Sequence, residues 1–197
     1  MKKGLWGKVM KAKPMLEPSA FDLLSKYKAR SEFAIGLRNT KNESLTLDTS
    51  EAYFAMLKLS LVYSALELLD NATGKSGNLQ VRSMKFSYDL KHGRFKKLID
   101  QILISTPANS KSKVLRIIEN LEYKDWEVGG PNLYEFIGLC RHLMFHGVFS
   151  PSGSGLSRSP RKVQSLIGLS YDAIQAGDEF LEKWLDKKIM KANRIRK

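Results

Sequence analysis

The sequence contains very little cysteine, and this scarcity excludes several classes of protein. Cys140 is the single cysteine among 197 residues, so the chain can form neither an internal disulfide framework nor a cysteine-rich zinc module. Residues 1–13 also lack the apolar segment and the small-residue cleavage site of a secretory signal. From these absences we expect a protein of a reducing, bacterial-type cytoplasm.

Several common catalytic motifs are missing as well. The GKS sequence at 74–76 lacks the upstream glycine of a Walker phosphate-binding loop. The GSG sequence at 153–155 lies in a Ser/Gly-rich loop and not at a strand-to-helix elbow. The repeated Glu and Glu-x-x-His patterns of di-metal helical bundles do not occur. We therefore expect a protein that uses no metal and no cofactor.

Positive charge is concentrated at the two ends of the chain. Lysine and arginine number 33 against 20 acidic residues, a net charge of +13. Residues 1–13 hold five basic residues and 187–197 hold six, with no acid in either, so 14–186 carries only +2. Cationic ends attract polyanions, nucleic acid above all; the alternative is that they are solubilising, poorly ordered termini.

The charge pattern divides the chain into three parts. A basic N-terminal segment covers 1–18, a helical domain covers 19–186, and a basic C-terminal tail covers 187–197. Apolar residues recur at three- and four-residue steps through the domain, and no segment clearly predicts a strand. The expected fold is all-α, an up-and-down antiparallel bundle of five or six helices. The expected helices are 19–38, 49–71, 90–104, 110–123, 131–146 and 161–190.

Particular residues are expected to begin, interrupt or bury these helices. Ser19 is the expected N-cap of the first helix, and Thr49 or Ser50 that of the second. Helix 49–71 is apolar almost all round, which predicts a central position or contact with both its own bundle and a second subunit. Its charged residues argue against a membrane span. Gly177 is a potential weak point in the last helix.

Residues 140–147 (CRHLMFHG) stand out because they contain two of the three histidines beside an arginine. One interpretation is a metal site, since His142 and His146 share a helical face, although the glutamate of HExxH and a third ligand are missing. A second is structural: His146 caps the helix end, and Arg141 pairs with Glu67 or Glu135.

The third interpretation is phosphodiester chemistry on RNA. Arginine binds phosphate through a bidentate fork, and histidine exchanges protons near neutral pH. RNA supplies its own nucleophile, so the missing motifs are not required. Arg141 and His146 are about 140° apart around a helix, so a joint site needs fraying at Gly147 or two copies of the helix across a two-fold axis. The second arrangement predicts a homodimer.

The run 141–147, with Arg141, a polar His142 and His146 at a helix end, resembles the Arg-x(4–6)-His hallmark of the HEPN superfamily. The apolar helix 49–71, which has a glutamate near its end in YSALE (63–67), is also similar to members of that group. The resemblance implies a helical bundle that dimerises through the motif helices. It also implies metal-independent RNA cleavage, as in prokaryotic toxin–antitoxin and other defence systems, with an antitoxin or another protein as a further candidate partner.

By position, the resemblance makes Arg141 and His146 the catalytic pair, with His142 as a polar accessory and Glu67 as the residue that orients Arg141. The alternative within the same superfamily is a non-catalytic module that binds RNA, a nucleotide or a protein. Further cations on one segment are candidate RNA-binding residues or simply a solvated helix face: Lys91, Arg94, Lys96 and Lys97.

Two other residues have alternative interpretations. Trp6, in the basic N-terminal segment, is a candidate for stacking on a base or for insertion at a membrane surface. Cys140 is expected to be a small buried hydrophobic residue and not a reactive thiol.

Overall fold

The computed structural model describes residues 1–38, 46–74 and 160–195, together with residues 112, 137, 138, 140, 141 and 144. Of these residues 90% are helical and none is in a strand, so the all-α class is confirmed. Four helices are described: α1 (Leu5–Ala12), α2 (Pro18–Gly36), α3 (Leu47–Thr73) and α4 (Pro160–Ile195). The helices expected at 90–104, 110–123 and 131–146 lie outside the described residues, apart from single helical positions.

Helix α3 forms the centre of the described fold, because both α2 and α4 pack along it. It begins earlier than expected. Thr46 is the N-cap, and its hydroxyl accepts a hydrogen bond from the Thr49 backbone N–H at 3.4 Å. The expected caps, Thr49 and Ser50, already lie inside the helix, and their backbone N–H groups donate to the hydroxyl and to the carbonyl of Thr46, respectively. Its buried apolar residues are Ala52, Ala55, Met56, Leu59, Val62, Ala65, Leu66, Leu69 and Ala72.

Helix α3 also meets the length and composition criteria for a membrane span. An 18-residue window within Asp48–Thr73 has a mean hydropathy of 1.4, but 56% of that window is buried inside the folded chain. A core helix of a soluble protein has these properties too. Its packing on α2 and α4 therefore accounts for the apolar character without a membrane.

Two prolines mark the boundary before α2. Pro14 lies in a short 3₁₀ helix (Lys13–Met15), and Pro18 occupies the first turn of α2. Glu17, not Ser19, is the N-cap residue, and its side chain makes no capping hydrogen bond. Proline is favoured at the first helical position, because its missing N–H is one that a helix start leaves unpaired.

Buried polar groups join the three long helices. The Lys58 side chain of α3 is only 2% exposed, and its Nζ donates to the Ile35 carbonyl at 3.3 Å and to the Tyr171 hydroxyl at 2.9 Å. The Tyr27 hydroxyl of α2 donates to Asp178 Oδ1 of α4 at 2.8 Å. Burial raises the pKa of the Asp178 carboxyl and that of the Tyr27 hydroxyl. These hydrogen bonds connect each pair of the helices α2, α3 and α4.

The basic N-terminal segment differs from the expectation of a poorly ordered terminus. Leu5, Val9 and Ala12 of α1 are at most 2% exposed and pack as part of the core. Trp6, a candidate for base stacking or membrane insertion, packs on the Phe21 ring at 5.9 Å. The apolar residues of α1 recur at three- and four-residue steps, so this segment buries a helical stripe despite its charge.

The lysines of the N-terminal segment face acids of α4. Lys2 Nζ lies 2.8 Å from Glu182, and Lys8 Nζ lies 2.8 Å from Glu182 and 3.1 Å from Asp186. Together they lower the pKa of the Glu182 carboxyl to about 2. Part of the positive charge that the sequence assigns to the N-terminal end is thus neutralised within the fold.

Helix α4 also extends beyond the expected residue 190, through Ile195, so most of the predicted basic C-terminal tail is helical. The helix continues without a break through Gly177. A β-carbon at this position would lie 2.8 Å from the Tyr27 hydroxyl and 2.9 Å from Leu66 Cδ2. The glycine therefore allows α2 and α3 to approach α4 closely.

Candidate functional site

The Arg141 guanidinium lies over the ring of Tyr63 on α3, with Cζ 4.9 Å from the ring centroid. The Arg141 side chain is half-buried, whereas Ile137 and Cys140 of the same helical segment are at most 1% exposed. Stacking of a guanidinium on an aromatic face stabilises it by about 0.5–2 kcal/mol, according to how far it is desolvated. A guanidinium carries its N–H donors at the edge of its plane, a geometry that matches the oxygens of a carboxylate or a phosphate.

Gly138 explains how the Arg141 segment comes so close to α3. A β-carbon at Gly138 would lie 2.9 Å from Tyr63 Cε2, a distance that real β-carbons almost never show. The helical backbone therefore rests on the tyrosine ring, and Arg141, three residues further on, follows on the same face. The Tyr63 ring thus packs against both the backbone at Gly138 and the Arg141 guanidinium.

Glu67 lies one turn after Tyr63 on α3 and is half-buried. Because residues four apart share a helix face, Tyr63 and Glu67 point to the same side of α3. The structure thus places two of the predicted site residues, Arg141 and Glu67, beside the same tyrosine. Ser64 lies on a neighbouring side, where its hydroxyl accepts a hydrogen bond from Arg30 of α2.

Sequence reasoning did not assign a role to Tyr63. The residue begins the YSALE sequence that was noted for its glutamate, and the available signal was its four-residue spacing from Glu67. The sequence could not indicate that Arg141 stacks on Tyr63, because the two residues are far apart in the chain and meet only through helix packing.

The remaining predicted site residues lie outside the described part of the chain. These are the catalytic candidate His146, the accessory His142, and the RNA-binding candidates Lys91, Arg94, Lys96 and Lys97. The described geometry therefore concerns two residues of the predicted site, Arg141 and Glu67, together with Tyr63.

Cys140, next to Arg141, is confirmed as a buried residue with an inert thiol. It is 1% exposed, and burial raises its pKa to about 12. A thiol with so high a pKa forms almost no thiolate at neutral pH, and the thiolate is the nucleophilic form. Cys140 is thus a packing residue of the segment that carries Arg141.

Among the described residues, no group of three or more His, Cys, Asp or Glu side chains could hold a metal ion. Comparisons of the chain with models of known protein families, with curated proteins and with solved structures found no match. The functional assignment therefore depends on the site itself.

Proposed function

We propose that this protein is a HEPN-like, metal-independent endoribonuclease of a prokaryotic defence or toxin–antitoxin type system that acts in the cytoplasm. In this proposal the chain forms an up-and-down bundle of five or six helices and works as a homodimer. The observation that carries the proposal is the placement of Arg141 over Tyr63. A half-buried guanidinium held on a ring is suited to binding a phosphate in a fixed orientation.

The proposed reaction uses the nucleophile of the substrate. The 2′-hydroxyl oxygen of RNA bonds to the adjacent phosphorus, the bond from phosphorus to the 5′-oxygen breaks, and a cyclic phosphate and a 5′-hydroxyl result. A general base removes the 2′-hydroxyl proton, and a general acid gives a proton to the leaving 5′-oxygen. His146 performs one of these transfers, and Arg141 balances the charge that develops on the phosphate oxygens.

The other site residues support these two. Glu67 orients Arg141 from the α3 side, a role that its position one turn from Tyr63 favours. His142 is the polar accessory. Lys91 and its neighbouring cations Arg94, Lys96 and Lys97 would contact the RNA backbone away from the scissile bond.

A homodimer would bring Arg141 of one protomer towards His146 of the other. The two positions are about 140° apart on one straight helix, so they do not converge within it. Helix α3 supports the proposal, because Tyr53 and Leu57, one turn apart, are 49% and 53% exposed although large and apolar. A second copy that covers this strip would remove it from water.

The test is cleavage of labelled single-stranded RNA in EDTA by the wild type, R141A and H146A, with R38A as the control. Arg38 is an exposed arginine away from Tyr63, so R38A removes the same charge from another place. We expect H146A to lose roughly 10²–10⁴-fold in rate and R141A a comparable factor, with R38A near wild type. Circular dichroism would verify that each variant is folded.

Mixing the two inactive variants tests the shared site. A mixed dimer of R141A and H146A retains one intact Arg141 and one intact His146 on opposite protomers, so cleavage should partly return. A mixture that stays inactive although mixed dimers form would contradict the shared site. If the wild type binds RNA but does not cleave it, the proposed endoribonuclease activity is refuted and the non-catalytic binding module is favoured.

A further inference from the structure

The last turns of α4 carry a stripe of exposed cations. It consists of Lys183, Lys187, Lys191 and Arg194, and we call these four residues the α4 stripe. Their spacing of four, four and three residues keeps them on one side of the helix, about 6 Å apart at each four-residue step. All four side chains are exposed.

The acids of the same helix end are occupied elsewhere. Glu182 and Asp186 face the N-terminal segment, where Lys2 and Lys8 neutralise them at 2.8–3.1 Å. The segment from 187 to 195 itself contains no acid. Two of the five lysines in residues 1–13 are therefore neutralised by α4, whereas the ion pairs among the described residues include no member of the α4 stripe.

We propose that the α4 stripe binds the sugar–phosphate backbone of single-stranded RNA without reading its sequence. The proposal extends the proposed function, since it takes RNA as the ligand and adds a binding surface outside the Arg141 site. A row of regularly spaced cations on a rigid helix attracts a polyanion, and each neutralised phosphate releases condensed counterions. Its four members are all cations, which suits contacts to phosphates, and contacts to phosphates carry no sequence information.

The apolar side of this segment distinguishes RNA from a lipid surface as the ligand. A membrane-bound amphipathic helix inserts its apolar face between lipids. Here Leu185 is fully buried, and Ile189 and Ala192 on the same side are half-buried against the fold. That face is already occupied, so the helix offers a nucleic acid its cations and offers a bilayer little to insert.

The test compares two variants that lose the same charge. K187Q/K191Q/R194Q removes three members of the α4 stripe, and the control K3Q/K11Q/K13Q removes three exposed lysines near α1. The probe is a fluorescent, short 2′-O-methyl oligouridylate, which lacks the nucleophilic hydroxyl. Binding is therefore measured whether or not the protein cleaves RNA. The proposal for the α4 stripe and the proposal of endoribonuclease activity can thus be refuted independently of each other.

We expect the stripe variant to bind the probe at least about tenfold more weakly at about 0.15 M salt, and its log–log salt slope to fall by about 2. The control should stay within about twofold of wild type in affinity. Equal losses in both variants would overturn the proposal, because they would mean that only net charge matters. A stripe variant that binds the probe as tightly as the wild type would also overturn the proposal. So would a stripe variant that loses only its binding to phosphatidylserine vesicles.

Discussion

Replacement of Gly177 by alanine should destabilise the protein, although alanine is the better helix former. The added β-carbon would lie 2.8 Å from the Tyr27 hydroxyl, 2.9 Å from Leu66 Cδ2 and 3.4 Å from Leu69 Cδ2. Two of these distances are shorter than van der Waals contact allows. Either α4 must move away from α2 and α3, or the two side chains must shift.

Neither neighbour can shift without cost. Tyr27 is fully buried, and its hydroxyl is held by Asp178 at 2.8 Å. Leu66 is 1% exposed and packed in the core. If Tyr27 moves, its hydrogen bond to Asp178 weakens, and Asp178 is a carboxyl whose pKa burial already raises. The charged form of Asp178 would then lose a partner inside the fold.

The expected change in the free energy of unfolding of G177A is the balance of opposing contributions. Overpacking costs about 1–3 kcal/mol, and weakening a hydrogen bond to a charged group costs up to about 1.5–3 kcal/mol. Alanine restores about 1 kcal/mol of helix propensity. We therefore expect G177A to lower the free energy of unfolding by about 2 kcal/mol, which corresponds to a fall in Tm of roughly 4–8 °C for a chain of this length.

Gly168 supplies a matched control on the same helix. A β-carbon at Gly168 would have no neighbour within 4 Å, so G168A should gain up to about 1 kcal/mol from helix propensity alone. Urea unfolding and calorimetry of both variants measure the difference. If G177A proved as stable as G168A, the close approach of the three helices at Gly177 would be refuted.

Two further predictions concern pH and the Arg141 site. The folded pKa of Glu182 lies near 2, below its ordinary 4.5, so its stabilising contribution is present above pH 4.5 and is lost as the pH falls towards 2. The variant E182Q should therefore show a flatter loss of stability across that pH range in urea titrations, and an unchanged profile would contradict the ion pairs with α1. Replacement of Gly138 by alanine should push the Tyr63 ring and displace Arg141. Cleavage should then fall about tenfold or more with RNA affinity less affected, whereas a wild-type rate would show that the ring does not position Arg141.

Local patterns in the sequence predicted most of the described helices. Apolar residues at three- and four-residue steps gave the approximate bounds of α2 and α4, because the burial of a helix face is encoded over a few residues. The start of α3 was misplaced because several hydroxyl residues lie near it, and each is a good N-cap by type. Only the observed backbone distinguishes Thr46, with its extended φ and ψ, from Thr49 inside the helix.

The N-terminal segment shows how composition can conceal packing. Its lysines suggested a free, basic terminus, yet Leu5, Val9 and Ala12 follow a helical spacing that was readable in the sequence. The partners of the lysines were not readable, because Glu182 lies at the opposite end of the chain. Likewise, the hallmark residues drew attention to Arg141, but nothing local indicated the aromatic ring beneath it.

Helix α3 connects the core to the candidate site. Leu66 packs against Gly177 of α4, while Tyr63, one turn earlier, carries the Arg141 guanidinium. A change at Gly177 that moves α4 relative to α3 therefore acts on the helix that positions the arginine, and should alter stability and cleavage together. Changes in the α4 stripe lie on the exposed side of α4 and should alter RNA affinity alone. Measuring stability, binding and cleavage for the same variants would thus separate the fold, the RNA surface and the reactive site by their different responses.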